Sequence, residues 1–65
     1  MSKQAPMIYY YMDDHTRTIF WSEELQEDRP DLIYLDASPN QNKKMAAAAI
    51  TRRDPRPSGY KIRPL

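Results

Sequence analysis

Between Tyr9 and Trp21 the chain reads YYYMDDHTRTIFW, which puts five of its seven aromatic residues within one short stretch. Two runs of strong strand formers, Ile8-Tyr9-Tyr10-Tyr11-Met12 and Thr18-Ile19-Phe20-Trp21, flank the turn-favouring Asp13-Asp14-His15-Thr16. The pattern predicts a β-hairpin. Two-residue hairpin loops need the φ > 0 backbone that glycine supplies, and there is no glycine here, so a four-residue loop at 14–17 is expected. That loop sets Tyr10 opposite Trp21 and Tyr11 opposite Phe20. Alternate residues of a strand face opposite ways, so Ile8, Tyr10, Met12, Ile19 and Trp21 share one face, and Tyr9, Tyr11, Thr18 and Phe20 the other. The hairpin is aromatic on both.

Downstream, Ser22-Glu23-Glu24-Leu25-Gln26-Glu27-Asp28-Arg29-Pro30 is polar and closes on a proline. At most it holds one helical turn opened by Ser22, with acids at the positive end of the helix dipole. Leu32-Ile33-Tyr34-Leu35 is a short continuous apolar run and reads as a central strand, fenced from aggregation by Asp28, Asp31 and Asp36. Ser38-Pro39-Asn40-Gln41 combines a capping serine, a proline at the first helical position and a glutamine three residues after the cap. It predicts a helix over 39–53. The alanines at 46–49 have the highest helix propensity available, and Met45, Ala46, Ala49 and Ile50 fall on one face, small enough to lie close on a sheet. Arg52 and Arg53 complement the negative helix end, and Asp54-Pro55 stops it. Pro55-Arg56-Pro57-Ser58-Gly59 is turn-rich, and Tyr60-Lys61-Ile62-Arg63-Pro64 alternates like a short edge strand that Pro64 ends.

The element order is thus β-β-β-α-β: an α+β domain in which one helix packs on one face of a small, mostly antiparallel sheet. With 65 residues there is room for one domain, residues 1–6 being expected to form a disordered tail. A chain of this size buries only about 60% of the surface its unfolded form exposes, and with no cysteine it has no disulfide staple. The N-terminus lacks an apolar signal core and no apolar run approaches membrane-spanning length. A cytoplasmic protein that does not touch membranes is expected.

The charges are sorted along the chain. Residues 1–36 carry eight acids against three bases, a net −5, and residues 37–65 carry seven bases against Asp54, a net +6. Such a dipole fits attraction between the halves, head-to-tail self-association, or a basic surface for an acidic partner or nucleic acid.

Groups for catalysis are few. His15 is the single histidine, in a loop beside Asp13 and Asp14, and three neighbours in a turn rarely converge on a metal. Ser22, Ser38 and Ser58 each have a cap or turn role, and one histidine cannot activate them all. The single glycine, Gly59, excludes a glycine-rich phosphate loop. No enzymatic activity, cofactor, metal or small-molecule substrate is expected.

Three resemblances bear on function. Tyr10, Tyr11, Asp13, Thr16, Thr18 and Trp21 match the second and third strands of WW domains without gaps, and that resemblance implies a groove for proline-rich ligands built on Tyr10 and Trp21. Strands followed by a helix with Lys43, Lys44 and Ala46 at its start are similar to the arm domains of tyrosine recombinases and to double-stranded RNA-binding domains. That likeness implies phosphate contacts from the two lysines. Strands, one helix, then Pro57, Gly59, Tyr60, Arg63 and Pro64 leading into a basic last strand are similar to the short host-transcription inhibitors of T7-like phages. Those are non-enzymatic proteins that use basic residues of the last strand against a polymerase subunit.

The leading expectation is therefore a regulatory interaction protein that binds a partner protein or its own copy, the last resemblance implying a viral, phage-type inhibitor of a host factor. Its contacts would be Tyr9, Tyr11 and Phe20, steered by Arg52, Arg53, Lys61 and Arg63. The alternative is nucleic-acid binding through Lys43, Lys44, Arg52, Arg53 and Arg56. A second alternative is a proline-rich-peptide binder.

Overall fold

A computed structural model describes residues 7–57 and 59–65, so the expected tail at 1–6 and the turn serine Ser58 lie outside the described residues. The hairpin forms in the expected register. Strand β1 (Ile8–Asp13) pairs antiparallel with β2 (Thr18–Ser22), Tyr10 opposite Trp21 and Tyr11 opposite Phe20. In the four-residue loop the Asp13 carboxylate accepts the His15 N–H at 2.9 Å, and Arg17 takes the left-handed conformation (φ 52°) that closes the turn without a glycine.

Strand β3 (Ile33–Ser38) pairs antiparallel with β1, and β4 (Lys61–Pro64) pairs parallel with β2, giving the order β3-β1-β2-β4. The apolar run read as a central strand is therefore an edge strand. The hairpin, apolar on both faces, takes both central places, and β3 is left with Ile33 40% and Tyr34 48% exposed. A bulge breaks its pairing: Tyr10 stands opposite Asp36 and Tyr11 opposite Tyr34, so Leu35 is the extra residue. The bulge lets Leu35 pack on the core while its neighbour Asp36 also reaches the helix.

Helix α1 (Lys43–Arg53) lies over Ile8, Tyr10 and Ile19, burying Ala46, Ala47 and Ile50 against them, with Trp21, Leu35, Tyr60 and Ile62 around the rim. The buried face is thus turned from the expected one. Met45 is 62% exposed and Ala49 is exposed, while Ala47 is buried. Four consecutive alanines carry no facing signal, so Ile50 and the helix start decide. That start is Asn42, whose side chain accepts the Met45 N–H at 3.2 Å, not Ser38. Ser38 is held as the last residue of β3, opposite Ile8, and its hydroxyl accepts the Asn40 N–H. Asn40 in turn accepts the Asn42 N–H. The chain takes two side-chain-braced turns before it coils. The helix ends at Arg53 as expected, with the Asp54 N–H on the Ile50 carbonyl.

Because β2, β3 and β4 run one way and β1 the other, two connections must cross the sheet. Helix α1 carries the chain from β3 to β4 over one face. β2 ends beside Tyr9 whereas β3 begins beside Met12, so residues 23–32 return along the length of β1. The Gln26 N–H donates to the Tyr11 hydroxyl at 2.8 Å, which places this strap on the face away from the helix. The segment after Ser22, allowed at most one helical turn, forms none. The Ser22 hydroxyl accepts the Glu24 N–H and donates to the Glu24 carbonyl, which bends the chain onto the strap's path.

Candidate interaction surface

Away from the helix, alternation places Tyr9 and Tyr11 of β1, Thr18 and Phe20 of β2, Tyr34 of β3, and Lys61 and Arg63 of β4 on one face. Phe20 stands beside Arg63 and Thr18 beside Lys61 in the parallel register. Tyr9 and Phe20 are half-buried, and Lys61 and Arg63 are exposed. Neither base has an ion pair among the described residues.

Tyr11, expected as a contact residue, is instead 3% exposed. Its ring meets Tyr34 edge-on at 5.6 Å, its hydroxyl holds Gln26, and the strap ends in the buried Leu32. The strap thus covers part of the second aromatic face. The sequence reading missed Tyr34, because plain alternation puts it on the same face as Asp36 and only the bulge at Leu35 turns it to the other. It also missed the strap, because a polar coil has no periodicity to betray which face it crosses.

Of the residues expected to bind a protein partner, the structure gathers Tyr9, Phe20, Lys61 and Arg63 and puts Tyr11 beneath the strap. Arg52 and Arg53 are on the helix, across the sheet from that group. Arg53 is paired with Asp36 at 2.9 Å. Of the residues expected for nucleic acid, four lie at the two ends of α1 and Arg56 just beyond it, and three of the five are engaged. Lys43 Nζ sits 4.5 Å from the centroid of the Trp21 ring. Lys44 lines a shallow cleft of about 170 Å³ between the helix and β4 with Ala47, Thr51 and Tyr60. Arg56 is paired with Asp54, whose carboxyl that hydrogen bond holds below its usual pKa.

The WW-like groove does not form. Tyr10 is fully buried under α1, its hydroxyl without a hydrogen-bond partner among the described residues and its pKa raised by burial, and Lys43 lies over Trp21. The helix, which a three-stranded WW domain has no place for, occupies that side of the hairpin. His15 is exposed in its loop. No cluster of three metal-ligating side chains occurs among the described residues. Instead the loop is latched to the last strand: the Tyr60 hydroxyl donates to Asp14, and the Arg17 guanidinium lies 5.9 Å from the Tyr60 ring centroid. No described helix is long and apolar enough to cross a membrane.

These features define a small α+β domain: a mostly antiparallel four-stranded sheet between one crossing helix and one crossing strap. Beyond that class, comparisons with protein-family models, curated proteins and solved structures give no match.

Proposed function

We propose that this chain is a non-enzymatic interaction module that binds protein through the sheet face away from the helix. The observation that carries the reading is Phe20 beside Arg63, an aromatic ring with an exposed cation in register on the neighbouring strand that has no ion pair among the described residues. Aromatic residues and arginine dominate protein–protein hot spots, and Tyr9, Tyr34 and Lys61 extend the same surface. Nucleic acid is favoured less. Phosphates need several free cations on one surface, whereas Lys43, Arg53 and Arg56 are held by Trp21, Asp36 and Asp54. The strap beside the aromatic face also carries Glu23, Glu24, Glu27 and Asp28, which repel a phosphate backbone.

The test is a pull-down from nuclease-treated lysate with the tagged chain and its Phe20→Ala and Arg63→Ala variants. A protein retained by the parent chain and lost from both variants, with circular dichroism unchanged, supports the reading. Retention that disappears on nuclease treatment would replace it with nucleic acid.

A further inference from the structure

The face away from the helix is divided in height and in charge. Over β1, toward β3, it is raised by the strap from Gln26 on, which carries Glu27, Asp28 and Asp31 against Arg29, a net −2 over residues 26–32, while Glu23 and Glu24 at the strap's start lie beside Pro64 and Leu65. Within the strap one ion pair forms, Arg29 with Asp31, and its other acids have no ion pair among the described residues. Over β2 and β4 no described segment crosses the face, Thr18 is buried among its neighbours, and the outer border is basic, with Lys61 and Arg63 exposed. Tyr9 and Phe20, half-buried on the two central strands, lie between the halves.

A surface whose raised half is acidic and whose low half is basic is complementary to itself. Rotation by half a turn about an axis parallel to the strands, lying between two facing sheets along the β1–β2 line, sets the raised half of each copy over the low half of the other. We propose that the partner this surface fits is a second copy of the chain, docked face to face about such an axis. Each strap then lies over its partner's β4, and Phe20 and Tyr9 pack near the axis.

The inference rests on the proposed protein-binding role of this face and specifies its occupant. The charge arrangement points away from an edge-to-edge assembly. Leu65 N–H bonds to the Trp21 carbonyl and Lys61 N–H to that of Arg17, so the even-numbered residues of β4 present their backbone outward. Pro64 is among them and has no N–H to offer a further strand. A standard-sized interface of about 800 Å² per partner takes roughly a sixth of the 4953 Å² accessible surface, an area a single sheet face can supply.

Sedimentation equilibrium over a range of protein concentrations, at low and high salt, tests it. Twice the monomer mass at high concentration is expected, weakening as salt rises. Phe20→Glu is expected to weaken the dimer about thirtyfold or more, with circular dichroism intact. Charge reversal gives a stricter test. A Lys61→Glu/Arg63→Glu chain has acids on both halves, and a Glu27→Lys/Asp28→Lys chain has bases on both. Each alone should be monomeric, and their mixture should dimerise, because both contacts of the mixed pair are attractive. A monomer at every concentration, a dimer indifferent to Phe20→Glu, or a mixture that stays monomeric would each overturn the inference. A monomer that still retains a lysate protein through Phe20 would overturn the self-docking while leaving the protein-binding role standing.

Discussion

Arg53, in the last turn of α1, reaches Asp36 of β3 at 2.9 Å, and this ion pair joins the acidic N-terminal half of the chain to its basic C-terminal half. The other two ion pairs among the described residues, Arg29–Asp31 and Arg56–Asp54, each lie within one half. Folding therefore leaves most of the sorted charge unneutralised.

Arg53→Ala is expected to matter little to stability. The two side chains are 70% and 43% exposed, and ion pairs of that exposure are worth about 0.2–1 kcal/mol. Urea denaturation should show a loss below about 1 kcal/mol that shrinks further at high salt. A much larger loss would make this pair, and not the apolar contacts of Leu35, the attachment of β3 to the helix.

Tyr11 and Phe20, neighbours across the hairpin, should respond differently to truncation. Tyr11 is buried under the strap and Phe20 is half-buried on the face left open. Tyr11→Ala removes a buried ring, at a cost of about 3–5 kcal/mol, a large share of the total stability of a domain this small. It is expected to unfold the chain or bring it near unfolding by circular dichroism. Phe20→Ala should cost about 1 kcal/mol and leave the fold intact. Tyr11→Phe isolates the hydroxyl: the Gln26 N–H loses its acceptor, and hydrogen exchange at that amide should quicken about tenfold while the β1–β2 amides stay protected. Equal exchange in both proteins would mean the strap is held by Leu32 alone.

The parts of this fold with strong local chemistry were legible in the sequence. The hairpin, its four-residue loop and its register follow from strand formers around a glycine-free turn, and the element order and the helix end at Arg53 from equally local signals. Features set by competition between distant parts were not. Ser38 has the right neighbours for a helix cap, but β3 claims it as its last residue and Asn42 takes the role. The run at 32–35 looks central because it is apolar, yet the hairpin is more apolar still and takes the centre. On the candidate surface, the shared face of Tyr9 and Phe20 was legible from alternation in the hairpin, while its continuation to Lys61 and Arg63 depends on β4 pairing with β2. Tyr11 was misplaced because nothing in a polar coil announces that it folds back over a tyrosine.

The helix facing, which the alanine tract left undetermined, can be checked by enlarging one methyl at a time. Ala47 is buried against the core and Ala49 is exposed. Ala47→Leu forces a larger side chain between helix and sheet, and overpacking of this kind costs about 1–3 kcal/mol. Ala49→Leu points into solvent and exchanges one strong helix former for another, so it should be neutral within about 0.5 kcal/mol. Thermal denaturation of the two variants separates the faces. The reverse order would restore the Met45, Ala46, Ala49 and Ile50 face that the sequence pattern alone favoured.

Tyr10 links the core to alkaline pH. It is fully buried, its hydroxyl has no hydrogen-bond partner among the described residues, and burial raises its pKa above the ordinary tyrosine value of about 10. A raised folded pKa means that the native chain holds this proton more tightly than the unfolded chain does. The corresponding contribution to stability is fully present below about pH 10 and is lost as pH rises through the raised folded value. Burial likewise raises Tyr34, and the hydrogen bond to Asp14 raises Tyr60, so all three favour unfolding in the same alkaline range. Tyr10→Phe keeps the ring and removes both the orphaned donor and the titration. It is expected to raise stability at neutral pH by about 1 kcal/mol and to move the onset of alkaline unfolding, followed by circular dichroism alongside tyrosinate absorbance, to higher pH. A variant less stable than the parent would show that the hydroxyl has a partner in solution.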